Sequence, residues 1–171
     1  TRLILNADDP LVSCFALGRD NPVTWFGVER LPFSETQPSG RYRDGAYCPH
    51  CKHPMEYEYY HYNHIGAYRC PGCGHHRHTP EDAVTQASLE EKHLILNGKY
   101  RVDMAVSGIY HMYNTLAAFS ACRALGLAEE PIARALSGYA LQNGRIVSFR
   151  AGERAGTLLT SKHENSISYD Q

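Results

Sequence analysis

The sequence predicts an α/β fold carrying a small inserted β module, on three observations. A strand, a short helix and a second strand follow one another within the first 28 residues; two Cys-x-x-Cys pairs flanking an aromatic strand then interrupt that order; and a long helix with one apolar stripe comes after the interruption.

Leu3-Ile4-Leu5 is an apolar run of strand length. It ends in the polar turn Asn6-Ala7-Asp8-Asp9-Pro10, the place where an open α/β sheet presents groups to a ligand. Residues 10 to 18 suit a short helix with Pro10 at its start and Gly18 at its end. Val23 to Val28 is β-branched and aromatic and is bounded by Asn21-Pro22, which makes it a second strand. From Leu31 to Tyr47 Pro, Ser, Gly and charges dominate, a linker without core-forming periodicity.

Beyond Pro80 helical and strand signals resume. His93-Leu94-Ile95-Leu96, then Asn97-Gly98, then the partly alternating run from Tyr100 to Val106 read as a hairpin, because Asn-Gly suits a tight two-residue turn. The clearest helix follows Gly108: Ile109, Met112, Tyr113, Leu116 and Ala117 recur at three- and four-residue steps, and the pattern continues through Leu125 to stop at Gly126. Residues 129 to 140 make another helical segment with Pro131 in its first turn, and 141 to 145 a polar exit. Ile146 to Phe149 and Gly156 to Leu159 are strand-like and suggest the start of a further domain.

Cys48-Pro49-His50-Cys51 and Cys70-Pro71-Gly72-Cys73 are matching knuckles with eighteen residues between them, the spacing of a zinc ribbon. Four thiolates complete a tetrahedral Zn²⁺ site with no position left for water, so the metal would be structural. The aromatic strand from Met55 to Tyr62 is too short a module to offset its own chain entropy, and metal binding would supply the missing folding free energy. His50, His53, His75, His76 and His78 crowd the knuckles as alternative ligands or as outer groups around the thiolates. Cys14 and Cys122 lie in apolar segments and read as small buried hydrophobes.

Composition bounds what such a chain does. A formal net charge of −1 over 171 residues gives no broad attraction to nucleic acid or to an anionic membrane surface. No window holds eighteen consecutive apolar residues, and the N-terminal stretch carries Asp8 and Asp9 where a signal peptide would carry a basic flank and an apolar run, so neither a membrane span nor a signal peptide is read. Tight Cys-x-x-Cys pairs favour metal over cross-links, hence a reducing, cytoplasmic compartment. Opening at Thr1 on an interior-type strand, the chain is expected to be a piece of a longer protein.

Three segments in order resemble the central domain of the Mur ligases, and within that family its MurT-like members. Asn6-Ala7-Asp8-Asp9-Pro10 is similar to the family's Asn-x-Asp-Asp at a strand end. Gly108 to Ala118 is similar to its Gly-x-His-Asn-x-x-Asn helix start, with Tyr110 and His111 standing where the common pattern has His and Asn. Gly144-Arg145 and Thr160-Ser161-Lys162-His163-Glu164-Asn165 resemble the interdomain linker and the opening of the C-terminal domain, with Thr160 where some members place a ribose-binding Asp. A cysteine ribbon inserted in the central domain separates MurT-like chains from ordinary peptide-adding members.

The resemblance implies a partial Mur-ligase-type central ATP-binding domain of α/β class with an inserted small β zinc ribbon. Residues 1–35 and 81–141 would belong to the central domain, 36–80 to the ribbon and 142–171 to the start of the C-terminal domain. The ATP-binding candidates are His111, Asn114, Arg145, Lys162, Asp8 and Asp9, with Mg²⁺ accompanying ATP; the metal ligands are Cys48, Cys51, Cys70 and Cys73. At (i, i+3) on a helix His111 and Asn114 share a face to one side of the apolar stripe. Asp8 and Asp9 also suit a plain turn and helix cap.

No Gly-x-x-x-x-Gly-Lys-Ser/Thr occurs, so the phosphate loop is expected upstream of Thr1 and the catalytic acids beyond Gln171. The implied reaction is ATP-dependent amidation of the D-glutamate α-carboxylate of lipid II through an acyl phosphate, with ammonia from a GatD-type glutaminase partner, at the inner face of the cell membrane. The rival from another class is a zinc-ribbon binding module for nucleic acid or protein, in which Tyr57, Tyr59, Tyr60 and Tyr62 stack bases. An ordinary peptide-adding Mur ligase is the third possibility.

Overall fold

The computed structural model describes residues 1–39, 44–139 and 146–159. The chain divides into two compact units, Thr1–Gly138 and Tyr139–Gln171.

In the first unit, β1 (Leu3–Asn6) leads into α1 (Pro10–Ser13), a single 3-10 turn (Cys14–Ala16) and β2 (Val23–Val28). Pro10 opens α1 as expected, and the Asp9 carboxylate caps it by accepting from the amides of Leu11 at 2.8 Å and Val12 at 3.3 Å. A small antiparallel sheet follows, β3 (Glu56–Tyr62) with β4 (Ile65–Arg69). The chain then returns as β5 (Asp82–Ser88), β6 (His93–Leu96) and β7 (Tyr100–Asp103), and closes with α2 (Ile109–Ala124) and α3 (Glu129–Ser137).

The main sheet runs β1-β2-β5-β6-β7, with β1, β2 and β5 parallel and β6 and β7 antiparallel. The small sheet therefore sits inside the crossover between two neighbouring parallel strands. Asn97 and Gly98 both take positive φ, 52° and 69°, and form the turn of the β6–β7 hairpin as their side chains predict.

Met112, Leu116 and Phe119 from α2 pack with Phe26, Val28 and Val84 of the sheet, and α3 adds Ile132 and Ala133. The apolar stripe read from the sequence is thus the buried face of α2, and Gly126 ends that segment at φ 85°.

Three expectations need correction. The stretch after Leu31 is not free of core residues: Leu31 is 5% exposed and Phe33 packs against the same cluster. The cause is a turn in which the Leu31 amide donates to Ser34 Oγ at 2.9 Å, a local bond that no periodicity reveals. Second, α3 ends at Ser137, short of residue 140. Third, Cys14 and Cys122 are only half-buried.

In the second unit β8 (Ile146–Ala151) and β9 (Arg154–Leu159) form an antiparallel hairpin turning at Gly152, φ 63°. Among the described residues no helix is long and apolar enough to cross a membrane.

Candidate metal centre and its seat on the sheet

The two knuckles are near copies of one another. In the first, the Lys52 amide donates to the Cys48 carbonyl at 2.9 Å and the Cys48 amide to the His53 carbonyl at 2.8 Å. In the second, Gly74 donates to Cys70 at 2.9 Å and Cys70 to His75 at 2.6 Å. Lys52 and Gly74 hold the equivalent left-handed position, φ 65° and 77°. Glycine suits that conformation, and Lys52 adopts it against the usual steric cost.

These turns bring the ligand atoms of Cys48, Cys51, Cys70 and Cys73 within 4.8 Å of one another, with Sγ separations of 3.6 Å for Cys48–Cys73 and 3.4 Å for Cys51–Cys70. A Zn–S bond of about 2.3 Å in tetrahedral geometry places sulfurs roughly 3.8 Å apart, whereas a disulfide needs about 2.05 Å. All six cysteines are free thiols. Burial opposes ionisation of Cys70, yet the Cys73 amide, the Cys51 thiol and the Gly72 amide bring it down to about 7. At Cys73 the His75 amide lowers the value, but burial and the neighbouring thiols outweigh it and push the group up to about 12. Four sulfurs converging at these separations fit structural zinc, which would hold all four as thiolates.

Two of the crowding histidines are engaged away from the thiols. His75 Nε2 lies 3.1 Å from Ser13 Oγ and 3.2 Å from the Pro10 carbonyl, and His78 stacks on Trp25 with ring centroids 4.0 Å apart. The ribbon tyrosines are also engaged internally. Tyr57 stacks on Tyr60 at 4.4 Å, Tyr62 meets the edges of Tyr110 and Tyr113, and Tyr59 is 5% exposed. Rings spent on one another offer few open faces for stacking bases, which weighs against the binding-module reading.

Beneath the ribbon lies Asp8, fully buried. Its Oδ1 accepts from Arg77 Nε at 2.6 Å, and its Oδ2 from the Val28 amide and the Tyr113 hydroxyl, each at 2.7 Å. Its carbonyl accepts from the Gly66 amide at 2.9 Å. Arg77 also donates to the Val28 carbonyl at 3.1 Å, and His61 Nε2 reaches the same oxygen at 3.1 Å. Asp9, in addition to capping α1, lies 3.5 Å from His64 Nε2. Asp9 displays the cap alternative, whereas the Asp8 carboxylate is tied to residues distant in sequence. A carboxylate with both oxygens engaged and no exposure presents no face to a nucleotide. Sequence reasoning passed over Arg77 and Tyr113 as partners of this acid, since they lie 69 and 105 positions from it.

His111 is half-buried and Asn114 exposed, both beside the buried Met112, Tyr113 and Leu116 on the first turns of α2. Burial holds the His111 imidazole below its ordinary pKa, and so neutral near pH 7. Gly108 precedes the helix at φ 149°, and no side chain caps its first amides. Arg145 and Lys162 lie outside the described residues. A cleft of about 780 Å³ opens along the ribbon, lined among others by Arg30, Glu56, Glu58, Tyr59 and Arg69.

Fold and cluster together define a partial Mur-ligase-type α/β domain with a four-cysteine insert, and comparison with known proteins agrees. The solved structure of a pseudomurein peptide ligase type C from Methanothermus fervidus superposes with a TM-score of 0.70 and 29% identity, over 86% of this chain and 29% of that one. The chain is MurT-like. The MurT subunit of the glutamine-hydrolyzing lipid II isoglutaminyl synthase of Staphylococcus aureus (strain COL) is 30% identical over 95% of this chain, and that of Streptococcus pneumoniae (strain ATCC BAA-255 / R6) is 28% identical over 94%. The chain spans 36% of the length of these curated relatives. No protein-family model matches it.

Proposed function

We propose that the intact protein is an ATP-dependent carbon–nitrogen ligase that amidates the D-glutamate α-carboxylate of lipid II. The observation that carries this reading is the similarity to MurT subunits over nearly the whole chain. The domain division given above is part of the proposal. A carboxylate oxygen attacks the γ-phosphorus of ATP and ADP leaves, because a free carboxylate is a poor electrophile; ammonia then attacks the acyl carbon and phosphate departs. The relatives are subunits of a glutamine-hydrolyzing enzyme, so we assign the ammonia to a GatD-type glutaminase partner, working with this protein at the cytoplasmic face of the membrane.

Within the chain, His111 and Asn114 would face the adenine, and the first amides of α2 supply a positive helix end nearby. Arg145 would meet the phosphates through its planar fork, and Lys162 would add a point charge. ATP brings Mg²⁺, for which Asp9 is the better placed of the two acids, Asp8 being enclosed. The zinc held by Cys48, Cys51, Cys70 and Cys73 supplies folding free energy and takes no part in the transfer.

The likeness to a pseudomurein peptide ligase, at an identity close to that of the MurT relatives, favours a second reading: a ligase that adds an amino acid. The full-length protein incubated with lipid II and ATP separates the two. Phosphate release that requires glutamine plus glutaminase, or ammonia, supports amidation; release that requires a free amino acid supports peptide addition and overturns the first reading.

A further inference from the structure

We propose that Asp8 is a positioning residue that makes the placement of the start of α2, and with it His111 and Asn114, depend on the folded state of the ribbon. The inference rests on the reading of α2 as the nucleotide-facing helix.

The parallel strands, the ribbon and α2 meet at Asp8. Its side chain and carbonyl accept from Arg77, Val28, Tyr113 and Gly66, which belong respectively to the segment after the second knuckle, the end of β2, the first turns of α2 and the start of β4. Arg77 comes four residues after Cys73 and is held by its own amide, which donates to the Tyr68 carbonyl at 2.9 Å. Its position is therefore set by the second knuckle. The Tyr113 hydroxyl is a firm donor, since burial, and then the Asp8 charge, raise its pKa well above the ordinary value. Asp8 is also tightly packed on the sheet side, where a Cβ on Gly27 would lie 2.6 Å from its Oδ1.

If the ribbon unfolds, two of the four donors leave together. A buried carboxylate then keeps only the Val28 amide and the Tyr113 hydroxyl, an arrangement that favours movement of the acid and of the helix turn tied to it. Tyr113 lies one residue from Asn114 and two from His111, so the turn that moves is the turn that carries them.

The test is amide hydrogen exchange of residues 113–117 in the full-length protein, zinc-loaded and after chelation, with β6 and β7 as internal reference. In the native sequence, zinc removal is expected to speed exchange at 113–117 roughly tenfold more than in β6 and β7, the scale of one hydrogen bond to a charged group. Tyr113→Phe, which keeps the ring, should retain its zinc, show that faster exchange already and change little on chelation. Tyr68→Phe, which loosens the ribbon from α1 without touching Asp8, should leave residues 113–117 protected while zinc is bound. Equal acceleration everywhere, no response to chelation, or a Tyr113→Phe protein that exchanges as the native one does would overturn the coupling. A protein that shows the exchange response but binds no ATP would overturn the proposed function and leave the coupling standing.

Discussion

Ser13 and Tyr68 share a hydrogen bond of 2.5 Å between their hydroxyls, joining the first helix of the chain to the second strand of the ribbon. His75 Nε2 completes the cluster at 3.1 Å from Ser13 Oγ. Ser13→Ala removes the shared partner and strands the buried Tyr68 hydroxyl, while His75 Nε2 keeps the Pro10 carbonyl at 3.2 Å. The expected loss is about 1–3 kcal/mol by chemical denaturation, whereas Tyr68→Phe leaves Ser13 its bond to the Pro10 carbonyl at 3.2 Å and should cost nearer 1 kcal/mol. Equal losses would show that the serine is not the centre of the cluster.

The metal centre makes a stoichiometric prediction. Elemental analysis of the purified protein should find one zinc per chain, and none in Cys48→Ser/Cys70→Ser. Structural zinc contributes roughly 10–16 kcal/mol to folding in peptide systems, more than a hairpin of this size can replace, so chelation should abolish the near-ultraviolet signal of the stacked ribbon tyrosines. A metal-free protein that keeps that signal would remove the structural role.

Acidification should destabilise the fold through His61. Its Nε2–H donates to the Val28 carbonyl and its Nδ1 accepts from the Ser34 hydroxyl at 3.1 Å, so the neutral ring is fully satisfied. Burial, against the pull of nearby Asp8, lowers its pKa below the ordinary 6.5. The unfolded chain then binds the proton more readily than the folded one, so this contribution to stability is complete above about pH 6.5 and declines as pH falls below it. Nuclear magnetic resonance titration should find the His61 ring still neutral where exposed histidines are half protonated; a titration at the ordinary value would refute the assignment.

Gly66 faces the Tyr59 carbonyl so closely that a Cβ would lie 2.1 Å from the oxygen. Backbone cannot swing aside as a flexible side chain can, so Gly66→Ala should disrupt the β3–β4 hairpin and lower zinc retention. Gly74→Ala meets no neighbouring atom and bears only the strain of its positive φ, about 1–2 kcal/mol. If the two variants hold zinc equally well, contact is not what selects glycine at 66.

Asp9 separates a cap from a ligand contact. Asp9→Ala should cost about 1 kcal/mol of stability through loss of the α1 cap, and Asp9→Asn, which still accepts from the Leu11 and Val12 amides, only a few tenths. A drop in ATP affinity in Asp9→Asn at unchanged stability would give Asp9 a ligand role as well.

Residues that announce themselves by local chemistry were legible: the Cys-x-x-Cys knuckles, Asn97-Gly98 and the stripe of α2 each impose a conformation through neighbours in sequence. β5 was not. Asp82-Ala83-Val84-Thr85-Gln86-Ala87-Ser88 carries one large aliphatic residue, yet it is the central strand of the sheet because β2 and β6 pair with its two edges. Its burial is imposed from outside. Asp82 is fully buried for the same reason, satisfied by Ser120 at 2.8 Å and by Arg123, 38 and 41 positions away. Likewise the motif Asn6-Ala7-Asp8-Asp9 marks an important place without disclosing its use. The acid read as a nucleotide contact is enclosed, and its partners arrive from as far as Tyr113.

The position of the ribbon inside the crossover bears on how the sheet assembles. Phe26 pairs with Asp82, so the central parallel contact must close a loop spanning 56 positions, most of it occupied by the ribbon. Linking Cys48 to Cys73 through a metal shortens the free path to roughly half, which eases closure by roughly 0.6 kcal/mol, a few-fold in the encounter of the two strands. A bound metal would thus act on the order of events. Chains that capture zinc early bring β2 and β5 together sooner, and chains that do not expose unpaired strand edges for longer while the polypeptide is still being made.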